Sequence, residues 1–381
     1  MSFLQKQKVP LLSALFVFIC GILLAGLAGL WGTPNPYNSY ALQAARWLEG
    51  HLDLGQNYAH LEIAYFGGKY FISFPPFPSV LLLPLIPFFG TKTPDMLLSV
   101  LTAAIGAAFS AKLALSYGKT ENEALFWSLF VTIGGNLLSV MCTGWVWFWA
   151  QTLAFTLLFA AIYSAKKGRT ALALFFWAAA VGCRPFSAVC LPVIFYLLHA
   201  CGLRFSRKTF LHFAPAACLC LFYAALNFLR FGNPLEFGHN YLPEFLQEPQ
   251  FGFSYVWENL KTLFRLPHIQ NGALVFPQFN GFAFFLSSPF FLAYIVAFCR
   301  QKKDRTDILI ACLLLLHLFL FCMHRTMGGW HFGHRYTIDL LPLCFLGTMR
   351  LRAAAGKSHL LLLLLGLMLH VYGFLLLFGA G

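Results

Sequence analysis

The segment HRTMGGWHFGHRYTID, His324 to Asp339, sets three His, two Arg and one Asp between the apolar runs ILIACLLLLHLFLFCM and LLPLCFLGTM, in a chain whose charged residues are only 10% of the total. A planar guanidinium binds phosphate through two parallel hydrogen bonds. Arg335, flanked by His331, His334, glycines and aromatics, therefore suits the headgroup of a lipid phosphate at the membrane surface. Arg335 and Asp339 stand four apart at a helix start and are predicted to pair on one face. His331 and His334 could ligate a metal, but zinc sites use three or four protein ligands and no third stands with them. No metal site is expected.

Two further polar loops carry ionisable residues. Residues 32–74 contain Asp53 and Glu62, followed by YFGGKYF with Lys69. A carboxylate near a membrane surface can act as general base toward an acceptor hydroxyl, although both acids also read as solvated loop residues. Within this loop YALQAARWLEG has helical spacing and stops at Gly50. It is predicted to lie along the interface with Trp47 and Tyr40 at headgroup level. Residues 230–280 begin LNFLRFGNPLEFGHNYLPE, where Arg230 precedes a turn signal and Glu236 and His239 follow. That stretch fits a solvated turn and a binding site equally well.

The elements that must position these residues are helices. The chain has 381 residues, 59% of them hydrophobic, and a mean hydropathy of +0.72. Apolar runs of spanning length, roughly 20 residues, recur from end to end. The composition implies an all-α polytopic membrane protein and excludes a soluble domain. A transmembrane barrel would show short alternating segments instead. The net charge of +13 sits in short clusters between apolar runs: Lys6/Lys8, KKGR (166–169), RFSRK (204–208), RQKKDR (300–305) and RLRAAAGK (350–357). This is the pattern of cytoplasmic loops, and no continuous basic face for nucleic acid appears. The 11 Cys lie in or beside apolar runs and read as small packing residues.

The clusters fix an expected topology. The N-terminus is cytoplasmic, helix 1 covers 9–31, and 32–74 is outside. Hairpin-like pairs follow: 170–203 turning near Arg184-Pro185, 209–299 with the long outside loop 230–280, and 307–349 with the His324–Asp339 segment outside. A final helix covers 359–379. Of the pieces 75–90, 94–117, 122–142 and 145–165, the first is short and Pro-rich and reads as re-entrant or interfacial. The count is about eleven transmembrane helices plus one partial segment, in a single transmembrane domain spanning 1–381. Three loops then bring ionisable residues to one face of the membrane, where such groups line a pathway or a site.

Four blocks carry a resemblance. GGKYFISFPPFPSVLLLP, GCRPFSAVCLPV, LNFLRFGNPLEFGHNY and GGWHFGHRYTIDLLP resemble, in order, blocks of bacterial membrane proteins of the GT-C glycosyltransferase superfamily. The resemblance implies a GT-C-like helical bundle in the bacterial cytoplasmic membrane. It also implies inverting transfer of a sugar from a polyprenyl-phosphate-linked donor to a cell-envelope glycan, lipid or protein, without a separate cofactor. Many members keep an Asp soon after helix 1 as the base. Here that place reads TPNPYNSY, with Asn38 and no Asp. The nearest outside acids are Glu62, preferred because Lys69 and the PP block follow it, and Asp53. Lys69, Arg230, Glu236, His239, His331, His334 and Arg335 are the expected substrate-binding residues.

Two other functions compete. A transporter or flippase of a lipid-linked sugar would need ionisable residues deep in the helices and paired half-repeats, yet such residues are few: Lys112, Arg184, His212, His317 and His370. A non-catalytic scaffold would not need charges converging from three loops.

Overall fold

The computed structural model describes residues 3–204 and 206–379. Phe205 of the RFSRK cluster lies outside the described residues, as do the side chains of Lys6, Arg207 and Lys208. Among the described residues, six helices are long and apolar enough to cross a membrane: Gln7–Leu27, Asp95–Ser116, Val146–Lys166, Leu211–Phe231, Arg305–Met323 and Lys357–Phe378. Val146–Lys166 carries apolar or small residues on all sides and is buried along nearly its whole length. A helix hydrophobic all round belongs in the middle of a bundle. The others leave large apolar side chains such as Leu11, Leu315 and Met368 facing outward, as expected where the surroundings are hydrocarbon rather than water.

The remaining expected passages are shorter or broken. They are Glu121–Thr132 continued by Leu137–Met141, Thr170–Val181, Pro185–Cys190 continued by Leu191–Ala200, Phe284–Ser287 continued by Phe290–Arg300, and Arg335–Leu340 continued by Leu341–Arg350. Their breaks have local causes. Pro185, Pro289 and Pro342 lack the amide hydrogen that a helix interior needs. Pro185–Cys190 and Arg335–Leu340 are 3-10 turns, tighter than an α-helix. The Pro-rich piece 75–90 forms only Phe77–Leu82 and Ile86–Phe89, too short to cross. It packs against Ser39–Leu48, where the Ser79 hydroxyl donates to Gln43 Oε1 at 2.8 Å. A piece that does not cross agrees with the expectation of a partial segment.

The helix ends sort into two faces. At one, Lys166 stands 4.4 Å from the Tyr117 ring, the Cys201 thiol donates to the Lys166 carbonyl, and Arg350 pairs with Asp304 at 2.7 Å and Asp307 at 2.9 Å. Those two acids cap Arg305–Met323, so the cluster 300–305 is tied to Arg350. At the opposite face Asn35 donates to Asp95 Oδ2 at 2.7 Å and to the Gly144 carbonyl at 3.0 Å. There too Trp330 contacts Phe378, with ring centroids 5.5 Å apart. All three polar loops lie at this second face, opposite the basic clusters.

These loops add the only strands among the described residues. Strands β1 (Ile63–Phe66) and β2 (Lys69–Ile72) pair antiparallel with Ile63 opposite Ile72 and Phe66 opposite Lys69. Gly67 and Gly68, at φ of 56° and 77°, make the two-residue turn, which needs positive φ at both positions. The hairpin packs on the segment after Phe231. Phe66 lies 4.6 Å from Tyr241 between ring centroids, and Phe71 lies 5.3 Å from Phe231. Strands β3 (His268–Gln270) and β4 (Ala273–Val275) form a second small hairpin.

One close approach fixes the last helix. A side chain at Gly366 would run into the carbonyl of Gly134, in the break after Glu121–Thr132. Gly366→Ala is therefore expected to destabilise the protein by about 1–3 kcal/mol, the range for overpacking where backbone must move. A lower melting temperature in detergent micelles checks it, and an unchanged one would mean the helix shifts freely.

Candidate active site

The polar face opens into a cavity of about 830 Å³. Its walls come from Tyr37 and Tyr40, from Glu62 and Phe74, from the start of Val146–Lys166, from Arg184, from parts of the segment 235–251, and from His324, Gly328, Trp330, Arg335 and Tyr336.

Two of its arginines sit at the starts of the broken passages. Arg184 precedes the 3-10 turn Pro185–Cys190, and Arg335 opens Arg335–Leu340. Irregular backbone of this kind is tolerated in a membrane protein where it borders protein or a water-filled cavity. The predicted Arg335–Asp339 pair is not formed. Asp339 Oδ2 instead receives Arg184 Nε at 3.0 Å and stands 3.0 Å from Nη2. In a 3-10 turn, with three residues per turn, positions four apart diverge by roughly 120°, so the side-by-side placement of an α-helix does not apply. Gln151 Nε2 ties the two arginine segments together, donating to Asp339 Oδ1 and to the Arg335 carbonyl, each at 2.8 Å. The guanidinium of Arg335 donates through Nε to the Gly328 carbonyl at 2.9 Å, while its Nη1 is buried with no hydrogen-bond partner. Both guanidinium carbons lie 4.9 Å from the Tyr336 ring centroid.

Glu62 shares this cavity. It sits just ahead of β1, and the hairpin register fixes it: Ser73, next after β2, donates from its hydroxyl to the Glu62 carbonyl at 3.0 Å. Burial raises the Glu62 pKa, hydrogen bonding from the Trp147 side chain works against that rise, Glu244 adds to it and Arg335 opposes it. A carboxyl with a raised pKa beside fixed cations is the pairing that acid–base catalysis uses.

No family model matches the chain, and no curated protein matches it. Among solved structures, the crystal structure of ArnT from Cupriavidus metallidurans bound to undecaprenyl phosphate aligns with 96% of this chain at a TM-score of 0.56 and 12% sequence identity. This chain has a GT-C fold. It spans 63% of the length of the ArnT chain, and at that identity the likeness speaks for architecture.

Within the GT-C fold of this chain, the other residues singled out by sequence divide sharply. Glu236 and His239 line the cavity. Glu236 spends its carboxylate on the local turn, accepting from the Gly238 amide at 2.5 Å and from Asn240 Nδ2 at 2.6 Å. Burial pushes the His239 pKa down to about 4, so its ring is neutral. Lys69 is exposed at the far tip of the β1–β2 hairpin, roughly 13 Å along the strand from Glu62 at 3.3 Å per residue. The expected Glu62–Lys69 neighbourhood does not exist. Asp53 does not reach the cavity either; its Oδ2 accepts from the Gly55 amide at 3.0 Å in a loop turn. Arg230 is buried behind the wall, donating to the Ile72 carbonyl at 3.1 Å and to Asn227 Oδ1 at 2.8 Å, and so docks the hairpin. His331 and His334 lie beneath the glycine loop, 6.4 Å apart between ring centroids, and are not part of the cavity wall. Burial pushes His334 down to about 3 and His331 well below its ordinary value, so neither supplies positive charge. No group of three or more His, Cys, Asp or Glu suited to a metal ion occurs among the described residues.

Sequence reasoning missed Arg184, Tyr40 and His324 as wall residues. For Arg184 the signal was present: a lone Arg before Pro between two apolar runs, outside every basic cluster. Tyr40 was expected at headgroup level but is buried, with 3% of its surface exposed. His324 caps Arg305–Met323 and is locked through Nδ1 to the Thr326 carbonyl at 2.7 Å.

Proposed function

We propose that this protein is a membrane glycosyltransferase moving a sugar from a polyprenyl-phosphate-linked donor to a cell-envelope acceptor on the outer face of the bacterial cytoplasmic membrane. One observation carries the reading: a single cavity at the face opposite the basic clusters holds Glu62 together with the guanidinium groups of Arg184 and Arg335. The GT-C fold and the undecaprenyl phosphate in the ArnT structure support it. By the positive-inside pattern the cavity face is external and the N-terminus cytoplasmic.

In this mechanism the Glu62 carboxylate accepts the proton of the acceptor hydroxyl. The oxygen attacks the anomeric carbon as the bond from that carbon to the phosphate oxygen breaks, and configuration inverts. Negative charge grows on the departing polyprenyl phosphate. Fixed cations aimed at that charge lower the barrier more than they stabilise the bound donor. Arg184 is already engaged by Asp339, so Arg335 is the main donor to the phosphate.

Arg335→Lys keeps the charge and loses the fork. Hydrogen bonds to charged groups contribute about 1.5–3 kcal/mol, so undecaprenyl phosphate is expected to bind at least about tenfold more weakly. Titration into protein held in lipid nanodiscs measures this, and unaltered affinity would remove Arg335 from the phosphate site.

A further inference from the structure

Tyr40 presents a hydroxyl that packing does not explain. It is the second residue of Ser39–Leu48, and its ring is wedged edge-on between Phe74 and Trp149, with centroids 6.2 and 6.1 Å away. A phenylalanine would make the same contacts. The hydroxyl is buried, and no described group hydrogen-bonds to it. Leaving a buried polar group unsatisfied is costly, and such exceptions call for a reason.

The surroundings supply one. Tyr40 lines the same cavity as Glu62, Arg184 and Arg335, and it is near enough to Arg184 and Glu62 for their charges to act on it. Arg335 Nη1 shares its condition, buried and without a partner. Both unsatisfied groups are donors: a guanidinium cannot accept, and a phenol beside one is best used as O–H. A ligand that completes both must bring acceptor oxygens carrying negative charge. Burial moves the Tyr40 phenol well above its ordinary pKa, which keeps the proton on it at any physiological pH.

We infer that Tyr40 is a substrate-binding residue whose hydroxyl donates to a phosphate oxygen of the ligand in the cavity, alongside the guanidinium of Arg335. The assignment rests on the reading of the cavity as a phosphate-binding site. It adds a neutral donor from the first loop to the cations supplied by the later passages, so that the phosphate bridges two walls of the cavity.

Tyr40→Phe removes the hydroxyl and keeps the ring, and two measurements then move in different directions. In nanodiscs without ligand, Tyr40→Phe is expected to melt no lower than the wild type, because it deletes an unsatisfied group. With undecaprenyl phosphate as probe, the variant is expected to bind about tenfold more weakly, the equivalent of one hydrogen bond of about 1.4 kcal/mol. Inorganic phosphate is titrated in parallel. If it binds and also depends on Tyr40, the site takes the oxyanion alone and the inference stands; if only the lipid binds with that dependence, the site takes the lipid headgroup and the inference again stands. Wild-type affinity retained within twofold in Tyr40→Phe would overturn the inference while leaving the phosphate reading intact. A lower melting temperature for unliganded Tyr40→Phe would overturn it too, since the hydroxyl would then have a structural partner. A wild type that binds neither probe would overturn the inference together with the phosphate reading.

Discussion

Asp339→Ala is expected to destabilise the protein by about 3–5 kcal/mol, the cost of leaving a buried charge without its partner. The Asp339 side chain is 1% exposed and that of Arg184 is 16% exposed, so the pair is largely shielded from water. The same substitution frees the Gln151 amide from one of its two acceptors and loosens the Arg335 backbone held by the other. Denaturation followed by tryptophan fluorescence in detergent reads the loss. A companion variant separates structure from function. Arg184→Met with Asp339→Leu replaces the pair by apolar groups, which is often neutral for stability. It is expected to recover most of the melting temperature and to remain poor in turnover, because the second cation has gone. Full turnover in the double variant would show that the pair only holds the fold together.

Glu62→Gln is expected to lower turnover by about 10²–10⁴-fold, the range for a general base, while the affinity for undecaprenyl phosphate changes little. A base acts in the transition state, so its loss appears in kcat and not in ground-state binding. The pH profile gives a second signature. Glu62 must be ionised to accept a proton, and burial lifts its pKa above the ordinary 4.5. The protonated, inactive form therefore persists to higher pH than for an exposed Glu, and activity rises with pH through that raised value. The amide variant should lose this acid limb. Asp53→Asn should leave turnover unchanged, because Asp53 lies in a loop turn outside the cavity wall.

The bundle was legible because each passage is an apolar run and because clusters such as KKGR and RQKKDR alternate with polar loops. That alternation brings residues 32–74, 230–280 and 324–339 to one face. Four details escaped for physical reasons. The Arg335–Asp339 pairing assumed α-helical spacing, whereas the segment opens as a 3-10 turn ahead of Pro342. The Glu62–Lys69 neighbourhood ignored the hairpin signal in YFGGKYF: two glycines between alternating aromatics fold the chain back and carry Lys69 to the exposed tip. The Arg184–Asp339 pair was hidden because its members stand 155 positions apart in sequence, a contact that no local pattern encodes. Tyr40 was misplaced because an aromatic on a short amphipathic helix reads as an interface anchor, and only the packing of Phe74 and Trp149 shows that its ring turns inward.

The central claim is sugar transfer from a lipid-linked donor at this cavity. Its most direct test uses wild-type protein and Glu62→Gln in sealed proteoliposomes, with radiolabelled lipid-linked sugars and acceptors extracted from the membranes in which the protein naturally resides. The account predicts that the wild type moves label from lipid to acceptor and releases one polyprenyl phosphate for each sugar transferred, and that Glu62→Gln does neither above background. Label that changes leaflet while staying attached to its lipid, equally in both proteins, would contradict it.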